Sequence, residues 1–275
     1  MPRIALLQMT SGTDAAGNAK AIAQATVKAG EGGATMLFTP EMALLLDRDR
    51  ERADRSILPE GENPHIPLLQ EAAAKAGLWL SLGLPVVLPS GRWANRTLLI
   101  DPKGDIAARY DKIHMFDVDL ADGENWRESA AFEPGRTAIT VSGTPLGTLG
   151  LATCYDVRFP ALFEAFGKAR CDAIAIPAAF TVPTGRAHWH VLQRARAIEA
   201  SAFVIAAAQV GRHSDGRMTY GHSLVVGPWG EVLLDMGGEA PGLAFAECEP
   251  SALSKAREQV PSLANKRDFD DGPQR

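Results

Sequence analysis

In "LGLATCYDVRFPALF" (149–163) a cysteine stands where an apolar run stops, followed by Tyr155, Asp156 and, four residues on, Arg158. A free thiol has a pKa of about 8.5, so a nucleophilic Cys154 needs a nearby cation, a helix N-terminus or a general base. Proline suits the first turn of a helix, and Phe159-Pro160 therefore makes this a strand–turn–helix segment with Cys154 at its mouth. In that geometry the backbone N–H of Tyr155 faces a developing oxyanion. The same cysteine also reads as a small buried hydrophobe, and the stretch alone leaves both readings open.

Two further strand ends carry charge. Glu41 follows "MLFTP", and Lys112 stands in "RYDKIHMFD", each just past an apolar run. If those strands converge, a carboxylate, an ammonium and a thiol meet at one edge, on loops held by a rigid scaffold. Taken singly, both charges read as solvated side chains. His188 and His190 lie two apart on an expected helix, so their rings diverge and cannot chelate one metal. With no third ligand near them in the chain, no metal site is expected. His114, His213 and His222 read as packing or hydrogen-bonding groups. The glycines of "GTPLGTLG" precede a strand instead of opening a helix after one, which argues against a dinucleotide fingerprint.

The elements that would position these residues alternate. Strands are expected at 3–9, 34–41 and 78–88 (split by Gly83 and Pro85), and helices at 14–30 and 65–77. Antiparallel strands follow around the turn "PKGD", then a long ordered loop over 111–135, a segment of the kind that tends to be functional. Beyond it come strands in "AITV" and "LGTLGLATC", a helix at 159–169, a strand at 172–180 and a helix at 185–201. That last helix places Val191, Ala195, Ile198 and Ala202 on one face. Strands then follow in "FVIAAAQV", "YGHSLVV", "EVLLDM" and "LAFAEC", with "GPWGE" a hairpin turn, and a helix starts near Pro250. No linker or repeat divides the 275 residues, so one domain spanning 1–275 is expected, with an extended tail from about 265. The alternation of helices and strands with hairpins mixed in implies α/β architecture, a mixed sheet with helices outside.

Composition narrows the function classes. A net charge of −5 with scattered basic residues gives no nucleic-acid footprint. The longest apolar runs, such as "AFVIAAAQV", are far too short to span a membrane. Three dispersed cysteines (Cys154, Cys171, Cys248) make neither a disulfide framework nor a CxxC metal site. With no apolar signal core behind "MPRIALLQM", a cytoplasmic protein with reduced thiols is expected.

Six segments in order resemble the carbon–nitrogen hydrolases of the nitrilase superfamily: "LFTPEM", "YDKIHMFDVD", "RESAAFEPG", "GLATCYDVRFP", "PAAFTVPTGRAHWHVLQRARAIE" and "YGHSLVVGPWGEV". The resemblance implies a four-layer α-β-β-α sandwich paired into homodimers, and a catalytic set of Glu41, Lys112 and Cys154. Glu128 matches a second glutamate that orients the lysine. In those roles Lys112 favours the thiolate and, with the Tyr155 N–H, stabilises the oxyanion. Glu41 would move protons between thiol, leaving amine and water, giving a thioester intermediate. No cofactor is implied. "CYDVRF", "AFTVPTG" and "AHW" resemble the amidase branch that holds deaminated-glutathione amidases and ω-amidases. There Arg158 is expected to grip a substrate carboxylate, with Phe180 and Thr184 lining the pocket. The substrate implied is a small 2-oxo acid amide, deaminated glutathione first and 2-oxoglutaramate as the alternative. The segment 206–223 is closer to the deaminated-glutathione enzymes and is expected to admit a larger leaving group. One departure is His190, where much of the branch has glutamate.

Other readings share parts of this pattern. A nitrilase, carbamoylase or aliphatic amidase would use the same thiol. A catalytically silent binding protein would have no need of Glu41, Lys112 and Cys154 together, and a redox sensor at Cys154 has no resolving cysteine close in sequence.

Overall fold

Along β1 (Arg3–Gln8), Ile4 and Leu6 join one hydrophobic cluster while Ala5 and Leu7 join another. This period-two partition marks a strand buried on both faces. The computed structural model describes residues 1–120, 125–270 and 272. After β1 come α1 (Ala15–Glu31), β2 (Met36–Phe38), α2 (Arg50–Asp54), α3 (His65–Ala76), β3 (Trp79–Val87), β4 (Trp93–Ile100) and β5 (Ile106–Asp111). A small hairpin of β6 (Asp117–Asp119) and β7 (Asn125–Arg127) follows. The second half contributes β8 (Ile139–Thr144), β9 (Gly147–Leu151), α4 (Pro160–Lys168), β10 (Ala173–Ala175), α5 (Val182–Ala200) and β11 (Phe203–Ala206). A second hairpin, β12 (Val210–Arg212) with β13 (Met218–Tyr220), leads to β14 (Leu224–Val226) and β15 (Val232–Asp235). The chain closes with β16 (Gly242–Glu247), α6 (Pro250–Gln259) and α7 (Ser262–Asn265).

Among the described residues these strands form two six-stranded mixed sheets, in the orders β16-β1-β2-β3-β4-β5 and β15-β14-β11-β10-β9-β8. Their inner faces pack together through Ile4, Leu6 and Phe38 on one side and Leu149, Leu151 and Ile205 on the other. Outside the first sheet, Ile22 of α1 and Leu69 of α3 cover Ala5, Leu37 and Leu82. Outside the second, Phe163 and Phe166 of α4 and Trp189 of α5 cover Ile174, Val204 and Val226. The molecule is thus the four-layer α-β-β-α sandwich expected. Each fully buried large apolar side chain contributes about 1.5–3 kcal/mol to holding the layers together.

Several boundaries differ from the sequence reading. Gly83 and Pro85 do not split β3, which runs through them unbroken. Gly83 is there for a close approach: a Cβ would sit 2.2 Å from the Pro40 carbonyl oxygen, beside Glu41. The stretch 111–135 is not one loop, because Asp117–Asp119 and Asn125–Arg127 pair as a hairpin ahead of a short 3₁₀ turn; residues 121–124 lie outside the described residues. Most of the expected tail is described, but 271 and 273–275 lie outside as well. The helix expected at 185–201 begins at Val182, with Pro183 in its first turn. Its inward stripe is Gly185, Trp189, Gln193, Arg196, Ala197 and Ala200. Val191 and Ile198, expected on the apolar face, are 68% and 50% exposed. Trp189 decides the orientation: the largest apolar side chain takes the core and the aliphatic pair is turned to the surface.

Candidate active site

Glu41 lies just beyond β2, Lys112 directly after β5, and Cys154 just beyond β9. The two sheets bring these three strand ends to one place. Cys154 adopts φ +49, a left-handed conformation rare outside glycine. Such strain persists only where the surroundings over-determine it. Its N–H donates to the Pro177 carbonyl at 2.9 Å. Thr153 and Asp156 form a capping box around the 3₁₀ turn Cys154–Arg158. The wholly buried Asp156 carboxylate accepts from the N–H groups of Thr153 (2.9 Å) and His114 (3.0 Å). It also takes the Tyr110 hydroxyl (2.5 Å) and meets His114 Nδ1 (2.7 Å). Burial, then the Asp156 charge, pushes the Tyr110 phenol well above its ordinary pKa, so it remains a donor. The turn that carries Cys154 is therefore pinned from two sides.

Lys112 is 2% exposed and makes ion pairs with two carboxylates. Its Nζ lies 3.1 Å from Glu41 Oε1 and 3.0 and 2.8 Å from the two oxygens of Glu128. Burial opposes the ammonium charge, but Glu128 and Glu41 outweigh it and hold the pKa well above the usual lysine value. Asn95 bridges the carboxylates, donating to Glu41 Oε1 (2.7 Å) and Glu128 Oε1 (3.2 Å). The Ala179 N–H holds Glu41 Oε2 at 2.7 Å, and the Phe116 N–H holds Glu128 Oε2 at 2.7 Å.

The surroundings of Cys154 act on its thiol in opposite directions. Burial pushes its thiol well above the ordinary range, and the Glu41 carboxylate pushes it further. Lys112 pulls the other way and is outweighed. The resting group is a neutral thiol beside a carboxylate, which calls for proton transfer to a base at the moment of attack instead of a standing thiolate.

A cavity of about 750 Å³ opens over these residues. Glu41, Lys112, Glu128 and Cys154 line it with Tyr155, Phe180 and Thr184, so seven of the eight residues singled out from the sequence meet there. Tyr155 occupies the first turn of the 3₁₀ segment, where backbone donors lack partners within the helix. The eighth, Arg158, is not among the lining residues. It packs behind them, 5.8 Å from the Tyr155 ring centre and 5.5 Å from that of Phe180, with Nη1 3.2 Å from His188 Nδ1. The arginines that do line the cavity include Arg48 and Arg217, each over the Trp126 ring at 5.9 and 5.2 Å. His190 does not line it either.

Sequence reasoning missed Asn95, Tyr110 and Asp156. The Thr153-x-x-Asp156 spacing is a readable capping signal, and Asn95 is a polar interruption in the apolar run "WANRTLLI". Nothing local marks Tyr110, whose partner lies 46 residues away.

The carbon-nitrogen hydrolase family model matches residues 3–258. The deaminated glutathione amidase of Yersinia enterocolitica is 39% identical over 274 residues, covering 96% of this chain and 92% of that protein. The crystal structure of the Caenorhabditis elegans NitFhit protein superposes with a TM-score of 0.89 at 36% identity. It covers 97% of this chain, which in turn spans 65% of that longer protein. An amidase from Nesterenkonia sp. AN1, solved as a mutant after Michael addition of acrylamide at its active-site cysteine, superposes at 0.79 with 27% identity. The match covers 94% of this chain and 98% of that one.

Proposed function

The chain belongs to the carbon-nitrogen hydrolase family, and on that premise we propose that it is a cysteine amidase that cleaves deaminated glutathione to 2-oxoglutarate and Cys-Gly. The observation that carries the reading is the buried Glu41–Lys112–Glu128 cluster beside Cys154 at the cavity wall. In the first half-reaction Glu41 takes the thiol proton as Sγ attacks the amide carbon. The oxyanion accepts from Lys112 Nζ and the Tyr155 N–H. Lysine has three donors; Glu41 and Glu128 engage two of them and orient the third. Collapse breaks the C–N bond, and Glu41 gives its proton to the departing amine, leaving a thioester. Glu41 then takes a proton from water as that water attacks the thioester; the acid departs and the thiol is restored. Asn95 holds the Glu41 and Glu128 carboxylates in place, while Tyr110 and Asp156 fix the turn that carries Cys154.

The cavity mouth supports a substrate with a tail. Arg217, Met218 and Thr219, within the 206–223 segment, line it together with Arg48. Arg48 there suits the terminal carboxylate of a Cys-Gly leaving group, beside an Arg217 that already pairs with Asp215 at 2.7 Å. For Arg158 to hold the other carboxylate, its guanidinium must leave His188 and turn past Phe180. Phe180 and Thr184 form the wall on that side.

The matched span is taken as one catalytic unit. Homodimers are the favoured assembly, because Val191, Ile198 and Trp229 expose apolar side chains on the outer α5 side of the molecule; light scattering should return the mass of two chains. Three free, buried thiols suit a reducing cytoplasm.

The deciding experiment supplies deaminated glutathione and, separately, 2-oxoglutaramate, and follows 2-oxoglutarate release with Cys154→Ala as blank. A higher kcat/KM on deaminated glutathione is expected. Preference for the smaller amide would move the assignment to ω-amidase, and release from neither would remove the 2-oxo acid reading.

A further inference from the structure

Away from the cavity, α5 meets the β14–β15 hairpin through three side chains that the reaction does not use. His190 projects from α5, His222 sits just before β14, and Asp235 ends β15. His190 Nε2 lies 3.0 Å from Asp235 Oδ2, and His222 Nδ1 lies 2.9 and 3.1 Å from its two oxygens. One ligating atom from each residue can be chosen so that all lie within 4.8 Å of one another. We propose that His190, His222 and Asp235 form a binding site for a divalent transition ion of the zinc class, separate from the catalytic cavity.

The donor chemistry selects the ion. Two imidazoles and one carboxylate suit zinc, cobalt, nickel or copper, whereas calcium and magnesium favour oxygen-only sites. Around a tetrahedral zinc with bonds of about 2.0–2.2 Å, neighbouring donors stand roughly 3.3 Å apart. The present nitrogen–oxygen separations of 2.9–3.1 Å are slightly short and the two imidazoles stand further apart, within 4.8 Å, so seating the ion takes an outward shift of the carboxylate and a closing of the two rings. On binding, each imidazole presents the lone pair of the nitrogen now facing Asp235, its proton residing on the other ring nitrogen. Water completes the shell, since all three side chains are partly open to solvent.

The surroundings hold the donors in place, as outer contacts do in metal centres. The Gly237 N–H donates to Asp235 Oδ1 at 2.9 Å. His222 is fixed at φ +55, with its carbonyl accepting from the buried Trp189 indole at 2.8 Å. Tyr220 stacks on the His222 ring at 4.4 Å and meets His190 edge-on at 6.2 Å. An ion here would tie α5 to the hairpin and fix Tyr220, whose strand β13 carries the cavity-lining Met218 and Thr219. His188 and His190 still do not share an ion. The partners of His190 come from 32 and 45 residues further along the chain, which is why the sequence shows no third ligand.

The test uses tag-free, full-length protein in the Cys154→Ala background, so that the reactive thiol cannot compete. Co²⁺ is titrated by its visible absorption and displaced with Zn²⁺. One ion per chain is expected, with the intense bands of a four-coordinate site. His190→Gln, which keeps the helix and a polar tip, and Asp235→Asn should each weaken binding by at least about tenfold. His65→Ala should leave it unchanged. Added Zn²⁺ should raise Tm in the parent protein and not in the two site variants, with circular dichroism checking that each variant folds. Absence of saturable uptake at micromolar metal, or binding unaltered in both site variants, would overturn the proposal.

Discussion

Glu41, Lys112 and Glu128 share their charges nearly out of water, with side chains 6%, 2% and 13% exposed. His190, His222 and Asp235 do so at the surface, 33%, 24% and 33% exposed. Both clusters set nitrogen against carboxylate oxygen at about 3 Å, one ammonium between two carboxylates inside and two imidazoles on one carboxylate outside. Burial separates what they can do. Inside, attraction and desolvation are both large, so each group depends on the others and its geometry is fixed. At the surface, water screens the pairing, and a cation can replace the shared protons at little cost. The inner cluster is suited to moving protons on a bound substrate, and the outer one to exchanging ligands with solvent.

That contrast can be broken. The largest effect is expected from Lys112→Met, which leaves two buried carboxylates facing each other. It should cost about 3–5 kcal/mol of stability by urea denaturation, and a factor of about 10²–10³ in kcat through loss of an oxyanion donor. An unchanged midpoint would show that the cluster is far less buried than it is here.

Alkaline pH supplies the next largest. Cys154 and Lys112 both have pKa values raised in the folded state. Their stabilising contribution is therefore whole below the unfolded values, about 8.5 for cysteine and about 10.4 for lysine, and is lost as pH rises through the folded ones. Tm should begin to fall above roughly pH 8.5. Cys154→Ala should lessen the first part of that decline without abolishing it, because burial also raises Cys171 to about 11 and Cys248 to about 12; Asp235→Asn should leave it as it is.

A smaller effect is expected at the cavity mouth. Arg48→Gln should raise KM severalfold for deaminated glutathione while leaving 2-oxoglutaramate unaffected, since only the former carries a second carboxylate to that end. Equal effects on both amides would place the arginine's action elsewhere. The smallest belongs to the outer cluster: in metal-free protein Asp235→Asn should change stability by no more than about 1 kcal/mol and leave kcat unaltered. A large loss of activity would join the two clusters functionally.

The alternation of strands and amphipathic helices made an α/β chain with a mixed sheet legible in the sequence, whereas the four-layer arrangement came from the resemblance to carbon–nitrogen hydrolases. Glu41, Lys112 and Cys154 stood out at strand ends, and Glu128 through the resemblance alone. Periodicity misjudged the outward face of α5, where Trp189 outweighs Val191 and Ile198 for the core, and took for one loop the segment that holds the β6–β7 hairpin. Tertiary structure alone decided the rest. The protonated resting state of Cys154 follows from burial and from a carboxylate 113 residues away in the chain. The withdrawal of Arg158 to His188 and the meeting of His190 with His222 and Asp235 likewise depend on how helix and hairpin pack. Local sequence fixes which groups are present and the period on which they fall; their charge states and partners depend on distances and dielectric surroundings that exist only once the layers have closed.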